Sequence, residues 1–179
     1  MAKSALGLPS AGPRGEDGPA PARSTYGPGR ATGPRAAAGR AVPPRAAQDL
    51  TVPELRFAAG IPGFPEARQF SVKPWGDGPS PFLVLESREI AGLRFVAVGP
   101  GVFFPWYQPR FGGEIYQAIE AAGSEETVVL VILTVHSRPE ETTANLLGPM
   151  VINARTGQAV QAVLSGSGFA PQTPVVAKP

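Results

Sequence analysis

The sequence Asn145-Leu146-Leu147-Gly148-Pro149-Met150-Val151-Ile152-Asn153 places two asparagines on either side of an apolar run that Gly-Pro interrupts. Proline has no N–H to donate to a β-ladder, so Pro149 does not fit the middle of a regular central strand. The run, called segment 145–153 below, is predicted to form two short strands joined by a bulge or bend, or a strand at a sheet edge. Backbone left unpaired at the interruption would offer a partner a place to dock.

Short β-branched and aromatic runs, separated by glycine and proline, predict the strands of this protein. They lie at residues 55–59, 69–73, 82–87, 93–98, 127–135, 144–153 and 159–164. The run 127–135 is apolar almost throughout, which is typical of a central strand buried on both faces. Residues 153–157 predict a hairpin turn, because Asn153 can bond to the backbone ahead of it and Gly157 permits a positive φ.

A single helix is predicted, at residues 113–122, with Gly123 as its natural stop. Its apolar residues recur at three- and four-residue spacing and would form one stripe: Ile115, Ala118, Ile119 and Ala122. Seven short strands with one helix between the fourth and the fifth predict an all-β, mainly β fold, either a small barrel or a sandwich.

The first 50 residues differ sharply in composition from the rest. They contain 8 Gly, 8 Pro and 12 Ala, and their one aromatic residue is Tyr26. Such a segment cannot offset the roughly 1–2 kcal/mol per residue that ordering a backbone costs. Residues 1–49 are therefore predicted to be a disordered tail, residues 50–171 the folded domain, and residues 172–179 a flexible end. Ala, Gly, Pro and Arg, which dominate the tail, are residue types encoded by GC-rich codons, and this motivates the hypothesis that translation starts nearer Val42, Leu50 or Val52.

The charge of the chain divides at the same boundary. Residues 1–50 carry a net charge of +4, whereas residues 51–179 carry −2. The basic pI is thus a property of the tail, where arginine recurs every five residues from Arg30 to Arg45. A basic arm could touch RNA or an acidic partner, but a net negative domain gives little support to nucleic-acid binding.

Few residues of this chain have the chemistry of catalysis or metal binding. There is no cysteine, and His136 is the only histidine. No Gly-x-Ser-x-Gly elbow occurs, and a nucleophile would lack a base and an orienting acid. One histidine without cysteine does not make a zinc site. No cofactor is predicted.

The sequence shows no signal peptide and no apolar run of membrane-spanning length. The chain is therefore expected to be soluble and cytoplasmic.

Two features outside the strands suggest a protein partner. Residues 102–109 hold four aromatic side chains between prolines, too many for all to enter the core of a small domain. Either all are core contacts, or one or two are exposed anchors. Glu140 and Glu141 form an acidic pair after the longest strand, either as solvated loop charge or as a rim that meets a basic partner.

Four motifs in register resemble the FliW flagellar assembly factors. They are Gly60-Ile-Pro-Gly-Phe-Pro-Glu66, Ser80-Pro-Phe-Leu-Val-Leu-Glu-Ser87, Phe103-Phe-Pro105 with Tyr107, and Thr143-Ala-Asn-Leu-Leu-Gly-Pro-Met-Val-Ile-Asn153. The last is similar to the family's N-L-L-A-P-I-V-I-N, with Gly148 in place of the usual alanine. The match runs from about residue 50 to 169.

The resemblance implies a small β-barrel-like domain without enzymatic activity that binds proteins. FliW proteins bind newly made flagellin in the cytoplasm, and they also bind CsrA, a translational regulator that represses flagellin mRNA. Because the two partners compete, export of flagellin frees FliW to capture CsrA and relieve repression. The implied partners are flagellin and a CsrA-type regulator, with no direct nucleic-acid contact, no membrane and no small-molecule substrate.

Departures from the family pattern leave a narrower role open. The family commonly has an aspartate where Gly99 stands and another where Trp106 stands, and its domains are usually more acidic. A flagellin chaperone without CsrA antagonism is therefore an alternative, as are an RNA-binding barrel and a small hydrolase. The candidate partner contacts are Phe64, Phe104, Tyr107, Glu140, Glu141, Asn145, Pro149 and Asn153. For both asparagines a second interpretation is that they bond the backbone at strand ends.

Overall fold

The computed structural model describes residues 50–176; the predictions for 1–49 and 177–179 lie outside this range. Nine strands and one α-helix follow one another along the described chain. They are β1 Glu54–Phe57, β2 Gln69–Pro74, β3 Phe82–Ser87, β4 Arg94–Val98, α1 Gly113–Ala118, β5 Thr127–Thr134, β6 Thr143–Ala144, β7 Met150–Asn153, β8 Gln158–Gln161 and β9 Thr173–Pro174. Short 3-10 turns lie at Pro100–Val102, Ser124–Glu126 and Pro139–Glu141.

Seven of the strands close into a barrel. Their order is β4-β3-β2-β1-β8-β7-β5, and the ring is completed because β5 also pairs with β4. All neighbours in the ring are antiparallel except β1 and β8, which run parallel. Closure removes the two open edges that a sandwich sheet would have. The predicted all-β fold with one short helix is confirmed, and the barrel is the correct one of the two predicted architectures.

The strand β5 is the centre of the structure. It pairs with β4 along one side and with β6 and β7 along the other. Since side chains alternate across a strand, Val128 and Leu130 point to one core while Val129 and Val131 point to another. The prediction of a central strand buried on both faces is confirmed.

Two apolar cores lie on opposite faces of the barrel wall. The inner core fills the barrel with large side chains from its strands, among them Leu55, Phe57, Phe70, Leu85, Leu130 and Ile152. The outer core lies between the wall and the segments that cover it, and includes Phe104, Tyr107, Phe111, Ile119, Leu146 and Val151. The covering segments are α1 and the loops on either side of it, which explains why so short a helix is part of an otherwise all-β fold.

The helix is shorter than the sequence predicts. It ends at Ala118, and Glu120 has a φ of 54°, a left-handed conformation usually taken by glycine. The N–H of Ala121 bonds to the carbonyl of Tyr116, and the N–H of Glu120 to that of Gln117, the two bonds of a Schellman ending. The predicted stop at Gly123 is therefore wrong.

The predicted apolar stripe of the helix is only half correct. Ile119 is buried and Ile115 is half-buried, but Ala118 and Ala122 are exposed. Because the Schellman ending stops the helical repeat after one and a half turns, Ala122 no longer lies on the same face as Ile115.

The end of the described chain departs from the prediction of a flexible tail at 172–179. Residues Thr173–Pro174 form β9, which pairs antiparallel with β6. The N–H of Val175 continues this pairing with a bond to the carbonyl of Thr142. The prediction is corrected at these residues, because the short β6 has no other neighbour on that side.

Candidate partner-binding site

Segment 145–153 is part of one interrupted strand. That strand has two ordered pieces, β6 directly before the segment and β7 at its end, and both pair with β5: Leu133 lies opposite Ala144, and Leu130 opposite Met150. The five residues between them leave the ladder and form a loop. The predicted break with a bend is confirmed, but only one of the two predicted strands, β7, lies within the segment, because β6 ends before it begins. The interruption lies within the sheet and is not at a free edge.

Two side-chain amides form hydrogen bonds with the backbone of this loop at Gly148. Its N–H donates to Asn145 Oδ1 at 2.9 Å, and its carbonyl accepts from Gln161 Nε2 at 2.8 Å. A Cβ at this position would lie 2.9 Å from Gln161 Nε2 and 3.1 Å from Asn145 Nδ2. Glycine thus leaves room for the two amides that hold its own peptide groups.

Most other backbone groups of the loop are also paired inside the domain. Leu146 and Leu147 both donate to the carbonyl of Ala170, and the Leu147 carbonyl accepts from Leu164. The N–H of Ala162 donates to the carbonyl of Pro149. The prediction that the interruption leaves backbone free for docking is therefore wrong: these groups are taken by the chain itself, and Gly148 and Pro149 are buried.

Asn153 uses its whole side-chain amide to join two parts of the structure. Its Nδ2 donates to the carbonyls of Ile119 and Glu120, at 3.1 and 3.0 Å, in the last residues of the α1 ending. Its Oδ1 accepts the N–H groups of Arg155 and Thr156, at 3.0 and 3.2 Å, in the β7–β8 hairpin. The side chain is fully buried. Asn153 therefore satisfies carbonyls at a helix end that would otherwise lack partners.

Tyr107 joins the loop between β4 and α1 to segment 145–153. Its hydroxyl donates to the carbonyl of Leu146 at 2.8 Å, and its ring packs against Phe169 with centroids 4.6 Å apart. Burial raises the pKa of this phenol well above its usual value, because the charged phenolate would lose its hydration. Tyr107 is thus a neutral hydrogen-bond donor in the outer core.

We expect Tyr107→Phe to lower the free energy of unfolding by about 1–2 kcal/mol, because it leaves the Leu146 carbonyl unpaired.

The raised pKa of Tyr107 also predicts a pH effect. Above the unfolded-state pKa of about 10, the unfolded chain releases the phenolic proton and the native state keeps it, so the native state loses stability as pH rises. When urea unfolding is measured at pH 8 and at pH 11, the free energy of unfolding should fall less between the two pH values for Tyr107→Phe than for the unsubstituted protein. An equal loss in both would contradict this origin of the pH dependence.

The eight predicted contact residues fall into two groups. Four are buried in the domain and offer no surface to a partner: Phe104, Tyr107, Pro149 and Asn153. Their assignment as contacts is corrected, because apolar rings and bonded amides beside the barrel are core groups. Phe64, Asn145, Glu140 and Glu141 keep some or all of their surface. They do not form one cluster, since Phe64 packs on Phe95 while the two glutamates follow β5.

Residues 102–109 divide between the core and the surface. Phe104 and Tyr107 are buried, Phe103 is half-buried, and Trp106 remains 58% exposed. The interpretation that all four are core contacts is therefore wrong, while a role as a partner anchor stays a prediction. The exposed aromatic is Trp106, which is not among the predicted contacts.

An apolar groove on the outer side of the barrel was not foreseen from the sequence. It has a volume of about 290 Å³, and its walls include Trp75, Phe82, Phe103, Leu133, Val135 and Val176. Three of these are large apolar side chains left partly in solvent: Trp75 at 43%, Val135 at 44% and Val176 at 45%. A tryptophan directly before the Gly-Asp-Gly tip of the β2–β3 hairpin was the one sequence signal, since such tips seldom reach a core.

The described residues contain no group of three or more His, Cys, Asp or Glu side chains that could hold a metal ion. His136 is exposed after the end of β5 and lies at the groove. A search of residues 50–176 for a helix that could span a membrane finds none.

The fold defines the chain as a small closed-barrel protein. The longest of its four sequence motifs, residues 143–153, contributes Leu146 and Val151 to the outer core. A family model described as "FliW protein" matches residues 45–175. The flagellar assembly factors FliW of Geobacillus kaustophilus and Bacillus pumilus are each 36% identical over 115 residues, covering 64% of this chain and 78% and 79% of theirs. The chain belongs to the FliW family of flagellar assembly factors.

A solved structure supports the same assignment. The crystal structure of a flagellar assembly factor FliW is similar with a TM-score of 0.65 and 30% sequence identity, covering 70% of this chain and 87% of the other. The FliW of Bacillus subtilis is 34% identical over 119 residues. The resemblance found in the four motifs is therefore confirmed at the level of sequence and of fold.

Proposed function

We propose that this protein binds flagellin in the cytoplasm and antagonises a CsrA-type translational regulator, so that flagellin synthesis follows export. The observation that carries the proposal is family membership over residues 45–175, which includes nearly all of the described domain. Binding is the whole of the proposed activity, and no catalytic step is part of it.

The surface of the domain is consistent with binding a protein. Trp106 and Val102 are exposed beside the outer core, and the apolar groove opens on the same barrel wall. Exposed aromatic and aliphatic side chains of this kind are typical anchors of protein interfaces. The proposed switch needs only that the two partners cannot be bound together, because each then lowers the apparent affinity of the other.

We expect flagellin and the CsrA-type regulator each to bind the full chain, and saturating flagellin to displace the regulator. The measurement is isothermal titration with each partner alone and then with the other present. A ternary complex with unchanged affinities would contradict the switch. An electrophoretic shift of flagellin mRNA leader by the protein alone would instead favour an RNA-binding barrel.

A second candidate is a flagellin chaperone that does not act on CsrA. Two positions favour it: Gly99 and Trp106 stand where the family commonly has aspartates. If those acids supply the contact with CsrA, Trp106→Asp should create or tighten regulator binding without changing flagellin binding. Trp106 is 58% exposed, but its ring packs edge to face on the buried Phe104 with centroids 5.7 Å apart, so the unfolding midpoint of Trp106→Asp is measured beside its binding. Regulator binding by the unsubstituted chain would exclude this narrower role.

A further inference from the structure

The outer core does not extend over strands β1 and β2. The inner core takes Leu55 and Phe57 from β1 and Phe70 from β2, whereas no described residue of either strand belongs to the outer core. Because side chains alternate along a strand, the neighbours of these three residues point away from the inner core. Two of those neighbours are long and polar, Arg56 on β1 and Gln69 on β2, and both are exposed.

The strand register places Arg56 between two glutamines. Arg56 pairs with Gln69 across the antiparallel β1–β2 ladder and with Gln158 across the parallel β1–β8 ladder. Gln158 also points outward, since the next residue, Ala159, belongs to the inner core. Directly paired residues have Cβ atoms roughly 5 Å apart. Three long side chains with N–H donors therefore form one row on the outer face of the barrel.

A cleft lies beside this row and contains a second arginine. It has a volume of about 390 Å³ and is called the arginine cleft below; its walls are Arg56, Phe57, Ala58, Arg68, Gln69 and Gln158. Its lining contains no aspartate or glutamate. The arginine cleft is thus a positively charged site of N–H donors, although residues 51–179 carry a net charge of −2.

Most donors of the arginine cleft have no partner in the described part of the chain. The side-chain amides of Gln69 and Gln158 make no hydrogen bond there. Arg68 donates its Nε to the carbonyl of Pro65 at 3.4 Å, and within residues 50–176 it forms no ion pair. The two terminal nitrogens of the Arg68 guanidinium are therefore available to a ligand.

Two carboxylates bonded to this part of the sheet are already engaged. Glu54 lies 3.6 Å from Arg56 and 3.6 Å from Arg88, so its charge is shared between two cations. Glu89 accepts the backbone N–H of Gln69 at 3.0 Å. Three arginines are thus set against two carboxylates, and the positive charge of Arg68 is not compensated.

We propose that the arginine cleft binds a carboxylate from an acidic segment of a partner protein. A guanidinium donates two parallel N–H bonds to a carboxylate, and the neighbouring amides can donate to its other lone pairs. Arg56 and Arg68 are the two cations that line the cleft. Two cations suit a short acidic segment better than a nucleic acid, whose phosphate backbone is bound by a longer basic track. The proposed function assigns nothing to this face of the barrel.

The first test uses a capped pentapeptide in which two glutamates alternate with three glycines, and a twin with glutamines in place of the glutamates. Side-chain N–H signals of the full chain are followed by NMR during each titration. We expect the glutamate peptide to shift the signals of Arg68, Gln69 and Gln158, with an affinity that falls as salt is added. We expect the glutamine twin to leave them unchanged. An oligouridylate of six nucleotides, titrated in the same way, tests for a nucleic-acid ligand.

A pair of arginine variants tests the uncompensated charge. We expect Arg68→Gln to weaken binding of the glutamate peptide by about fivefold or more, because the charge-assisted pair is lost. Arg94→Gln is the matched control: Arg94 is exposed, forms no ion pair among the described residues and does not line the cleft. Equal unfolding midpoints of the two variants would show that both remain folded.

A pair of glutamine variants tests the cleft without removing an arginine. Gln158→Glu places a carboxylate opposite Arg56, where it repels the ligand and competes for its donors. We expect binding of the glutamate peptide to weaken by about tenfold or more. Gln172→Glu is the control, since Gln172 is also an exposed glutamine and lies outside the cleft.

The outcomes separate this site from the proposed function. Weaker peptide binding by Arg68→Gln and Gln158→Glu, with normal binding by Arg94→Gln and Gln172→Glu, supports the carboxylate site. Equal binding by all four variants, or equal shifts with the glutamine twin, overturns it. Shifts with oligouridylate but not with the glutamate peptide overturn it in favour of a nucleic-acid ligand. Neither probe contains flagellin, so each of these results leaves the flagellin-binding function to its own test.

Discussion

We expect Asn153→Ala to lower the free energy of unfolding by about 3–4 kcal/mol, since four hydrogen bonds are lost and the groups left behind are largely buried. Two carbonyls, of Ile119 and Glu120, would lose their donor, and two N–H groups, of Arg155 and Thr156, would lose their acceptor. Urea denaturation followed by fluorescence measures the change. The expected loss is a large part of the stability of a domain this size.

The other asparagine of the chain is the matched control. Asn145 makes one hydrogen bond to the loop backbone and is only half-buried. We expect Asn145→Ala to cost about 1 kcal/mol. If the two alanine variants lost equal stability, the difference in their hydrogen bonding would not be the cause.

The substitution Asn153→Asp tests the donor role of the Asn153 side chain separately from its acceptor role. The aspartate keeps the acceptor for Arg155 and Thr156 but places a carboxylate against the carbonyls of Ile119 and Glu120. Its pKa would be raised in the native state by burial and by these carbonyls. The loss of stability relative to the unsubstituted protein should therefore be full at neutral pH and above, and should shrink as pH falls and the carboxyl is protonated in the native state. A variant as stable as the unsubstituted protein at pH 7 would contradict the role of the Nδ2 donor.

We expect Gly157→Ala to lower the free energy of unfolding by about 3 kcal/mol, with about 1 kcal/mol from backbone strain and the rest from overlap. Gly157 has a φ of 76° in the turn between β7 and β8. A Cβ there would overlap the carbonyl oxygen of Glu54, the first residue of β1. The overlap would push β1 away from β8, the parallel pair that helps to close the barrel.

Gly166→Ala isolates the strain from the overlap. Gly166 has a nearly equal φ of 74°, and nothing lies within 4 Å of a Cβ placed on it. We expect this variant to lose about 1 kcal/mol, the cost of the left-handed backbone alone. Equal losses at the two glycines in thermal or urea unfolding would show that contact with β1 does not matter.

Most of the fold follows from local patterns in the sequence. The strand 82–87 is predicted at its observed bounds, and the apolar run of β5 predicts its two buried faces, because alternation and β-branching are local properties. Pro149 predicts the break in the strand for the same reason. The Schellman ending at Glu120 could not be predicted, because its left-handed residue is held by Asn153, a residue 33 positions away. The strand β9 depends in the same way on pairing with β6.

The site is harder to predict than the fold, because side-chain burial depends on what covers the barrel. Phe104 and Tyr107 have the composition of interface anchors, yet the outer core needs both. Trp75 stays in solvent because the hairpin that carries it ends there, and Val135 stays in solvent because β5 ends one residue earlier. The four motifs identify the family, but the residues that they have in the outer core, such as Phe104 and Tyr107, stabilise the fold and are not exposed to a partner.

Segment 145–153 stabilises the fold, and we propose that flagellin binds to another surface of the domain. The most direct test is the affinity of flagellin for Asn145→Ala, the partly exposed residue of the segment, measured together with its unfolding midpoint. We predict a lower midpoint and an affinity within about twofold of the unsubstituted protein, a difference of about 0.4 kcal/mol. A folded Asn145→Ala protein that binds flagellin ten times more weakly, a loss of about 1.4 kcal/mol, would contradict the claim.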